Sequence, residues 1–351
     1  MMTIGGGRLV ELTLEGSPWR SAAGRFTHRK VLLLELEDDR GEKGWGEACP
    51  LPGYSPDTLE QARKALEAWL AEMPRAVTLS AAPGLRLEGA RTASLPTSAR
   101  CAVEGALLDL AARRAHRPLH RWLATDAAEV VSCQGLVPLL APDAALSRAR
   151  RLWASGFRTL KVKGGEDFTR EKALLQRLRR TFGEPLTLRL DVGGRWPPDR
   201  APGRLEALAA LGLDYVEEPV APPGLLTLPD VPVPLAADES LQDPVLAAEI
   251  LDAGVCAALV LKPPCVGGPL RALALAEAAR RRGMRWALSH TLGSGVERAL
   301  AVALALASGA SCSGLAEHPF LPDGHRPPAW SGPELRSLGT PGLGLAGEGF
   351  R

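Results

Sequence analysis

Hydrophobic and polar positions along the chain change their period near residue 125, which divides the sequence into two regimes. In the first, residues 9–14 and 31–37 are short runs of apolar and β-favouring side chains, joined through a glycine-bearing stretch at 41–46 to a Pro/Gly-rich loop at 50–55. Two stretches of helical spacing follow. Residues 57–72 carry Leu59, Ala62, Leu66 and Leu70, and residues 97–115 carry Val103, Ala106, Leu107 and Leu110. A sheet followed by helices predicts an α+β unit over residues 1–125.

Beyond that unit, apolar runs begin near Val130, Thr159, Leu186, Tyr215, Pro234, Ala258, Arg285 and Cys312. Segments of helical composition separate them, among them 143–154, 168–180, 244–252, 269–282 and 294–307. Eight strand–helix alternations predict parallel βα units and an α/β fold, a (β/α)8-type barrel over residues 126–320. The Pro/Gly-rich segment 321–351 is expected to run back toward the N-terminal domain. A doubly wound open sheet is the alternative, but no G-x-G-x-x-G follows the first strand, and 293–298 lacks the third glycine. The apolar stretch 299–316 is mostly Ala, Gly and Ser and reads as a buried helix and the strand after it, not as a membrane span.

Composition narrows the partners. Of 351 residues 46% are hydrophobic and 23% charged, and 42 basic residues against 40 acidic ones leave a net charge of +2 with no basic block. That balance gives no footprint for nucleic acid or an anionic membrane and favours a small-molecule substrate. Six scattered cysteines without a C-x-x-C pair read as reduced thiols. Arg8 and Glu11 interrupt what a secretory signal would keep apolar, so a cytoplasmic location is expected. Assembly into a homo-oligomer stays open.

Chemistry gathers where a barrel places it, at the C-terminal strand ends. Successive strands end in Lys161-Val162-Lys163, Arg189-Leu190-Asp191, Glu217-Glu218-Pro219, Asp238-Glu239-Ser240 and Lys262-Pro263. Any one carboxylate alone would read as a helix cap. Asp191, Glu217 and Asp238 on three consecutive strands would instead converge, and their repulsion calls for a cation; an all-oxygen set suits Mg²⁺, with Mn²⁺ as a substitute. Only seven of the 42 basic residues are lysines, yet three sit at these strand ends, which points to amines that can release a proton. Lys163 and Lys262 lie on opposite sides of the ring, a geometry suited to removing a proton α to a carboxylate.

These motifs resemble the muconate-lactonizing subgroup of the enolase superfamily. With the loop Gly44-Trp45-Gly46-Glu47-Ala48-Cys49-Pro50-Leu51-Pro52-Gly53-Tyr54-Ser55, the chain looks most like the o-succinylbenzoate synthase family. The resemblance implies a Mg²⁺-dependent lyase of menaquinone synthesis, with Lys163 as base and returning acid, Lys262 as the opposite cation and Lys161 in support. It implies Asp191, Glu217 and Asp238 as Mg²⁺ ligands with Glu239 behind them, and an N-terminal capping domain whose loop 50–55 excludes water. Arg189, Ser289 and Gly314 are expected to bind the small-molecule carboxylate substrate, the Gly314 N–H donating to it. An N-acylamino acid racemase or dipeptide epimerase is the alternative activity. Two places depart from the family: Gly193 stands where an Asn is usual, and Ser289-His290-Thr291-Leu292-Gly293-Ser294 stands where a serine-rich stretch containing a glutamate is common. His290 is expected to line the pocket, and Cys265 to pack in a loop.

Overall fold

The computed structural model describes residues 2–21, 24–80, 85–138, 140–318 and 330–345. The N-terminal sheet pairs β1 (Met2–Ser21), β2 (Gly24–Asp38) and β3 (Lys43–Ala48) as antiparallel neighbours. Helix α1 (Leu59–Ala71) follows, then β4 (Ala76–Ser80), β5 (Arg86–Glu88) and α2 (Thr97–Arg114), giving the sheet order β3-β2-β1-β4-β5. The predicted runs at 9–14 and 31–37 are the middles of longer strands. Residues 31–34 of β2 are apolar without a break because both faces of the strand are buried there. Leu32, Leu34 and Leu36 pack with Ala62, Leu66 and Leu107 of the two helices, whereas Leu33 joins the barrel core. Thr58 starts α1 with a reciprocal capping box to Gln61. Gly46 is required where α2 crosses β3, since a Cβ there would lie 1.9 Å from the Ala102 carbonyl oxygen.

After α3 (Leu119–Leu123), the run at Val130 divides into two strands, β6 (Val130–Ser132) and β7 (Gly135–Val137). Then come α4 (Pro142–Ala154), β8 (Thr159–Lys163), α5 (Phe168–Phe182), β9 (Thr187–Asp191), α6 (Ala201–Glu206) and β10 (Tyr215–Glu217). The chain continues with β11 (Leu235–Ala237), α7 (Pro244–Ala253), β12 (Ala258–Leu261), α8 (Pro263–Val266), α9 (Pro269–Arg281), β13 (Arg285–Leu288) and α10 (Gly295–Ser308). Strands β7 to β13 are parallel neighbours in strict chain order, which excludes the reversal a doubly wound sheet requires. The fold is α/β, a barrel with an antiparallel N-terminal cap.

Two expectations need correction. The eighth strand, expected from Cys312, is reduced to two isolated parallel bridges, Cys133 to Ser313 and Ser289 to Gly314, which join the two edges of the sheet. Val130–Ser132 stands outside the barrel and pairs antiparallel with β14 (Glu334–Arg336). Residues 330–345 also reach α2, where Leu343 N–H donates to Asp109 Oδ1 at 2.6 Å. The remainder of segment 321–351 lies outside the described residues. α10 is buried from Gly295 to Leu306, as its composition predicts, and among the described residues no helix is long and apolar enough to cross a membrane.

Candidate active site

Parallel registry carries the charged strand ends to one mouth. Lys163 pairs across from Asp191, and Asp191 from Glu217. Lys161 Nζ donates to Asp191 Oδ2 at 2.7 Å and to Glu217 Oε1 and Oε2 at 3.0 and 3.1 Å. Lys163 Nζ reaches the same Asp191 oxygen at 2.5 Å. On the far side Lys262 Nζ bonds Asp238. β8 and β12 are separated by three strands in the sheet order, which sets the strand ends bearing Lys163 and Lys262 well apart around the mouth.

The adjacent residues Glu217 and Glu218 do different work. Glu217 points inward and is fully buried. Glu218 takes a left-handed backbone, φ 39°, and accepts bonds from Asp238 N–H at 2.8 Å, from Ser240 N–H and from the Ser240 hydroxyl. It thereby fixes the next strand end, a use for local strain. Asp238 begins the short turn 239–241 without capping it, so the helix-cap reading fails there.

The electrostatics follow from burial and crowding. Burial opposes the Asp191 charge, but Lys161 and Lys163 outweigh it and hold the carboxyl far below its ordinary range. Glu217 is pushed up to about 7 by burial first and the Asp191 carboxylate second. Burial, then Asp238, lifts Glu239 well above the usual carboxylate range. Burial works against the Lys161 ammonium, and Asp191 and Glu217 more than restore it.

Among the described residues no group of three or more His, Cys, Asp and Glu side chains is disposed to hold a metal ion as it stands. Ammonium groups take up oxygens of Asp191, Glu217 and Asp238. The donor chemistry nonetheless fits a hard divalent cation: every candidate ligand is an oxygen, and Glu239 Oε2 is buried with no partner.

Tyr54 is the residue that strand-end reasoning missed. Its hydroxyl donates to Asp238 Oδ1 at 2.6 Å and accepts from Lys262 Nζ at 2.8 Å, bringing the loop 50–55 into the barrel mouth. The available signal was an aromatic with a polar tip in a loop expected to exclude water. His318, pushed down to about 4 by burial and then by nearby Lys163, is a neutral group on the other wall. His290, half-buried, accepts from Leu292 N–H through Nδ1, and burial holds its pKa well below the usual value. Cys265 is buried and its thiol pushed up to about 12, in keeping with packing.

The expected substrate-binding set is altered. Arg189 is 2% exposed, and its guanidinium donates to Asp214 at 2.7 Å, Gln134 Oε1 at 2.7 Å and the Cys312 carbonyl at 2.8 Å. These bonds brace the barrel interior one rung below Asp191. The Gly314 N–H donates to the Leu288 carbonyl, so it is not free to bind an anion. Ser289 and Gly314 do meet: a Cβ on Gly314 would lie 2.9 Å from Ser289 Oγ.

Lysines on separate strand ends and clustered carboxylates thus meet at the barrel mouth beneath an α+β cap. Residues 144–346 match the enolase C-terminal domain-like family, and residues 22–85 match the MenC N-terminal domain. The chain belongs to the enolase superfamily. It is 30% identical over 298 residues to o-succinylbenzoate synthase of Geobacillus stearothermophilus, covering 82% of this chain and 77% of that one. It is 26% identical over 349 residues to L-Ala-D/L-Glu epimerase of Bacillus subtilis, covering 94% and 93%. In fold it matches a dipeptide epimerase from Enterococcus faecalis complexed with Mg and the dipeptide L-Leu-L-Tyr, with TM-score 0.84, 22% identity and coverage of 98% and 100%.

Proposed function

We propose that the chain is a Mg²⁺-dependent o-succinylbenzoate synthase of menaquinone synthesis, which dehydrates 2-succinyl-6-hydroxy-2,4-cyclohexadiene-1-carboxylate. The asymmetry of the two opposed lysines carries this reading. The Lys163 side chain is 46% exposed, whereas Lys262 is 11% exposed and bonded to both Asp238 and Tyr54. A syn dehydration needs one mobile base and one fixed cation, and these lysines match those needs. Lys163 Nζ takes the proton α to the carboxylate; the C–O bond on the neighbouring carbon breaks, the ring becomes aromatic, and the same ammonium protonates the departing hydroxyl as water. Lys262 keeps a positive charge beside the negative charge that builds on the substrate. Asp191, Glu217 and Asp238 would hold Mg²⁺, which when bound would supply further stabilisation of that charge. The loop 50–55, seated through Tyr54, keeps bulk water from the reacting face.

A second reading, N-acylamino acid racemase or dipeptide epimerase, is favoured by the opposed lysines and by the epimerase relatives. In that reaction both amines must exchange protons. The deciding experiment is an ultraviolet assay of o-succinylbenzoate formation beside racemisation assays on N-succinyl amino acids and dipeptides. Racemisation without o-succinylbenzoate formation overturns the dehydratase.

A further inference from the structure

We propose that the Tyr54 hydroxyl is the tether that fixes the Lys262 ammonium across the pocket from Lys163, so that seating of the cap loop sets the cationic side of the site. The inference rests on the reading above for the role of Lys262, but the contact itself does not. Among the described residues Lys262 has two polar partners, Asp238 and Tyr54, and its Nζ also lies 4.6 Å from the centre of the Tyr54 ring. The two partners differ in kind. Asp238 is a carboxylate assigned to Mg²⁺, and a carboxylate shared with a divalent ion has less charge to offer an ammonium. The phenol is neutral, so it offers Lys262 the same acceptor whether or not the carboxylates are engaged elsewhere.

The loop is built to deliver this hydroxyl. Tyr54 and Ser55 N–H groups both donate to the Leu51 carbonyl, at 3.0 and 2.9 Å, closing a tight turn. Leu51 N–H donates to Ser55 Oγ at 2.8 Å, and that oxygen lies 3.3 Å from Cys265 Sγ in α8, three residues beyond Lys262. At the other end Arg29 donates to the Pro50 and Cys49 carbonyls, at 3.2 and 3.0 Å, and to the Thr291 carbonyl of the barrel at 3.2 Å. The loop is thus anchored to the barrel on both sides of Tyr54, and the cap contributes one side chain to the polar contacts of Lys262.

Tyr54→Phe keeps the ring and removes the hydroxyl, so it separates tethering from packing. The first readout is the side-chain ¹⁵N resonance of Lys262 in metal-free, ¹⁵N-lysine-labelled protein, assigned by its loss in Lys262→Arg. In Tyr54→Phe it should shift and exchange faster with solvent, while the resonance of Lys161 stays in place. The second readout is steady-state kinetics: kcat should fall about tenfold with KM within about twofold, the signature of a group that orients charge for the transition state. Tyr54→Ala, which loses the ring as well, should fall further. A purely structural role would leave Tyr54→Phe like the wild type and impair only Tyr54→Ala. An unchanged Lys262 resonance, or a kcat within twofold of wild type, overturns the proposal. If the wild type forms no o-succinylbenzoate, the dehydratase reading fails by itself, and the resonance, read without substrate or metal, still decides the tether.

Discussion

Two groups of buried carboxylates, at the barrel mouth and at the seam between cap and barrel, solve the same problem in opposite ways. At the mouth Asp191, Glu217 and Asp238 are balanced by the ammonium charges of Lys161, Lys163 and Lys262. At the seam Glu47 of β3 and Glu297 of α10 are held by fixed dipoles. Glu47 accepts from the N–H groups of Ser294 and Glu297, at 2.8 and 2.9 Å, and from the Ser294 hydroxyl. Glu297 accepts from the N–H and hydroxyl of Thr291 and from Gly293 N–H. Carboxylates neutralised by ammonium groups can exchange partners and serve chemistry. Those satisfied by backbone dipoles at a helix N-terminus cannot move without opening the structure.

The largest effects should come from removing mouth carboxylates. Asp191→Ala, Glu217→Ala and Asp238→Ala should each abolish Mg²⁺ binding in calorimetry and turnover with it. Glu217→Ala should change the urea midpoint little, because it relieves like-charge crowding, whereas Asp191→Ala and Asp238→Ala should lower it by stranding the buried Lys161 and Lys262 ammonium groups. Full activity after exhaustive chelation would break the comparison at its functional end. Next in size is Lys163→Ala, expected to lose about three to four powers of ten in rate, the scale of a general base. Lys262→Arg should keep measurable dehydratase activity, since only a fixed charge is needed there, but should end exchange of the α-proton with solvent deuterium for one enantiomer if the enzyme is a racemase.

The mouth was legible in the sequence and the seam was not. Period-2 alternation carries charge into strands that are otherwise apolar, so Lys161, Lys163, Asp191 and Lys262 stand out against their neighbours, and chain order alone predicts which strands adjoin. Glu47 and Glu297 lie 250 residues apart, and their partners are mostly backbone groups, which leave no mark in the sequence. Tyr54 escaped for a related reason: its partners, Asp238 and Lys262, follow barrel strands and lie 184 and 208 residues further along the chain. Strand alternation gives the face of Arg189 but not the level at which its tip ends, so its bonds to Asp214, Gln134 and the Cys312 carbonyl could not be read from the sequence. Ser313 and Gly314 make single bridges where a strand was expected, since the eighth position is held by its neighbours rather than by a ladder of its own.

Acid titration tests the seam. Glu47 is 2% exposed and is pushed up to about 7 from 4.5 by burial first and by Glu297 second. Between those values the unfolded chain has already released the proton that the folded chain retains. Stability should therefore fall as pH rises above about 4.5 and level off above about 7, by roughly 3 kcal/mol for this group. Glu297, raised by the same burial, adds in the same direction. Urea unfolding at intervals from pH 5 to 8 reads the slope. Glu47→Gln should flatten it and cost about 1–2 kcal/mol at pH 5, because the amide nitrogen must face an N–H of Ser294 or Glu297. A slope unchanged in that variant would assign the titration elsewhere.

The smallest effect would give a mouth carboxylate a dipole partner like those of the seam. Gly193 has φ 59°, and a Cβ there would sit 3.7 Å from Glu239 Oε1 and 3.9 Å from Asp191 Oδ1, ordinary contacts that leave room for a side chain. Asn is the residue that best tolerates this backbone after glycine, at a cost of about 1 kcal/mol. Its amide can donate to Glu239, whose Oε2 is buried and unpartnered, and one such bond returns about 1 kcal/mol. Gly193→Asn should therefore leave the urea midpoint nearly unchanged, whereas Gly193→Val, with the same backbone penalty enlarged by β-branching and no donor, should lower stability by about 2 kcal/mol. Equal losses in the two variants would mean that the amide does not reach Glu239. A difference between them would measure what a fixed dipole contributes to a carboxylate that the wild-type mouth leaves without one.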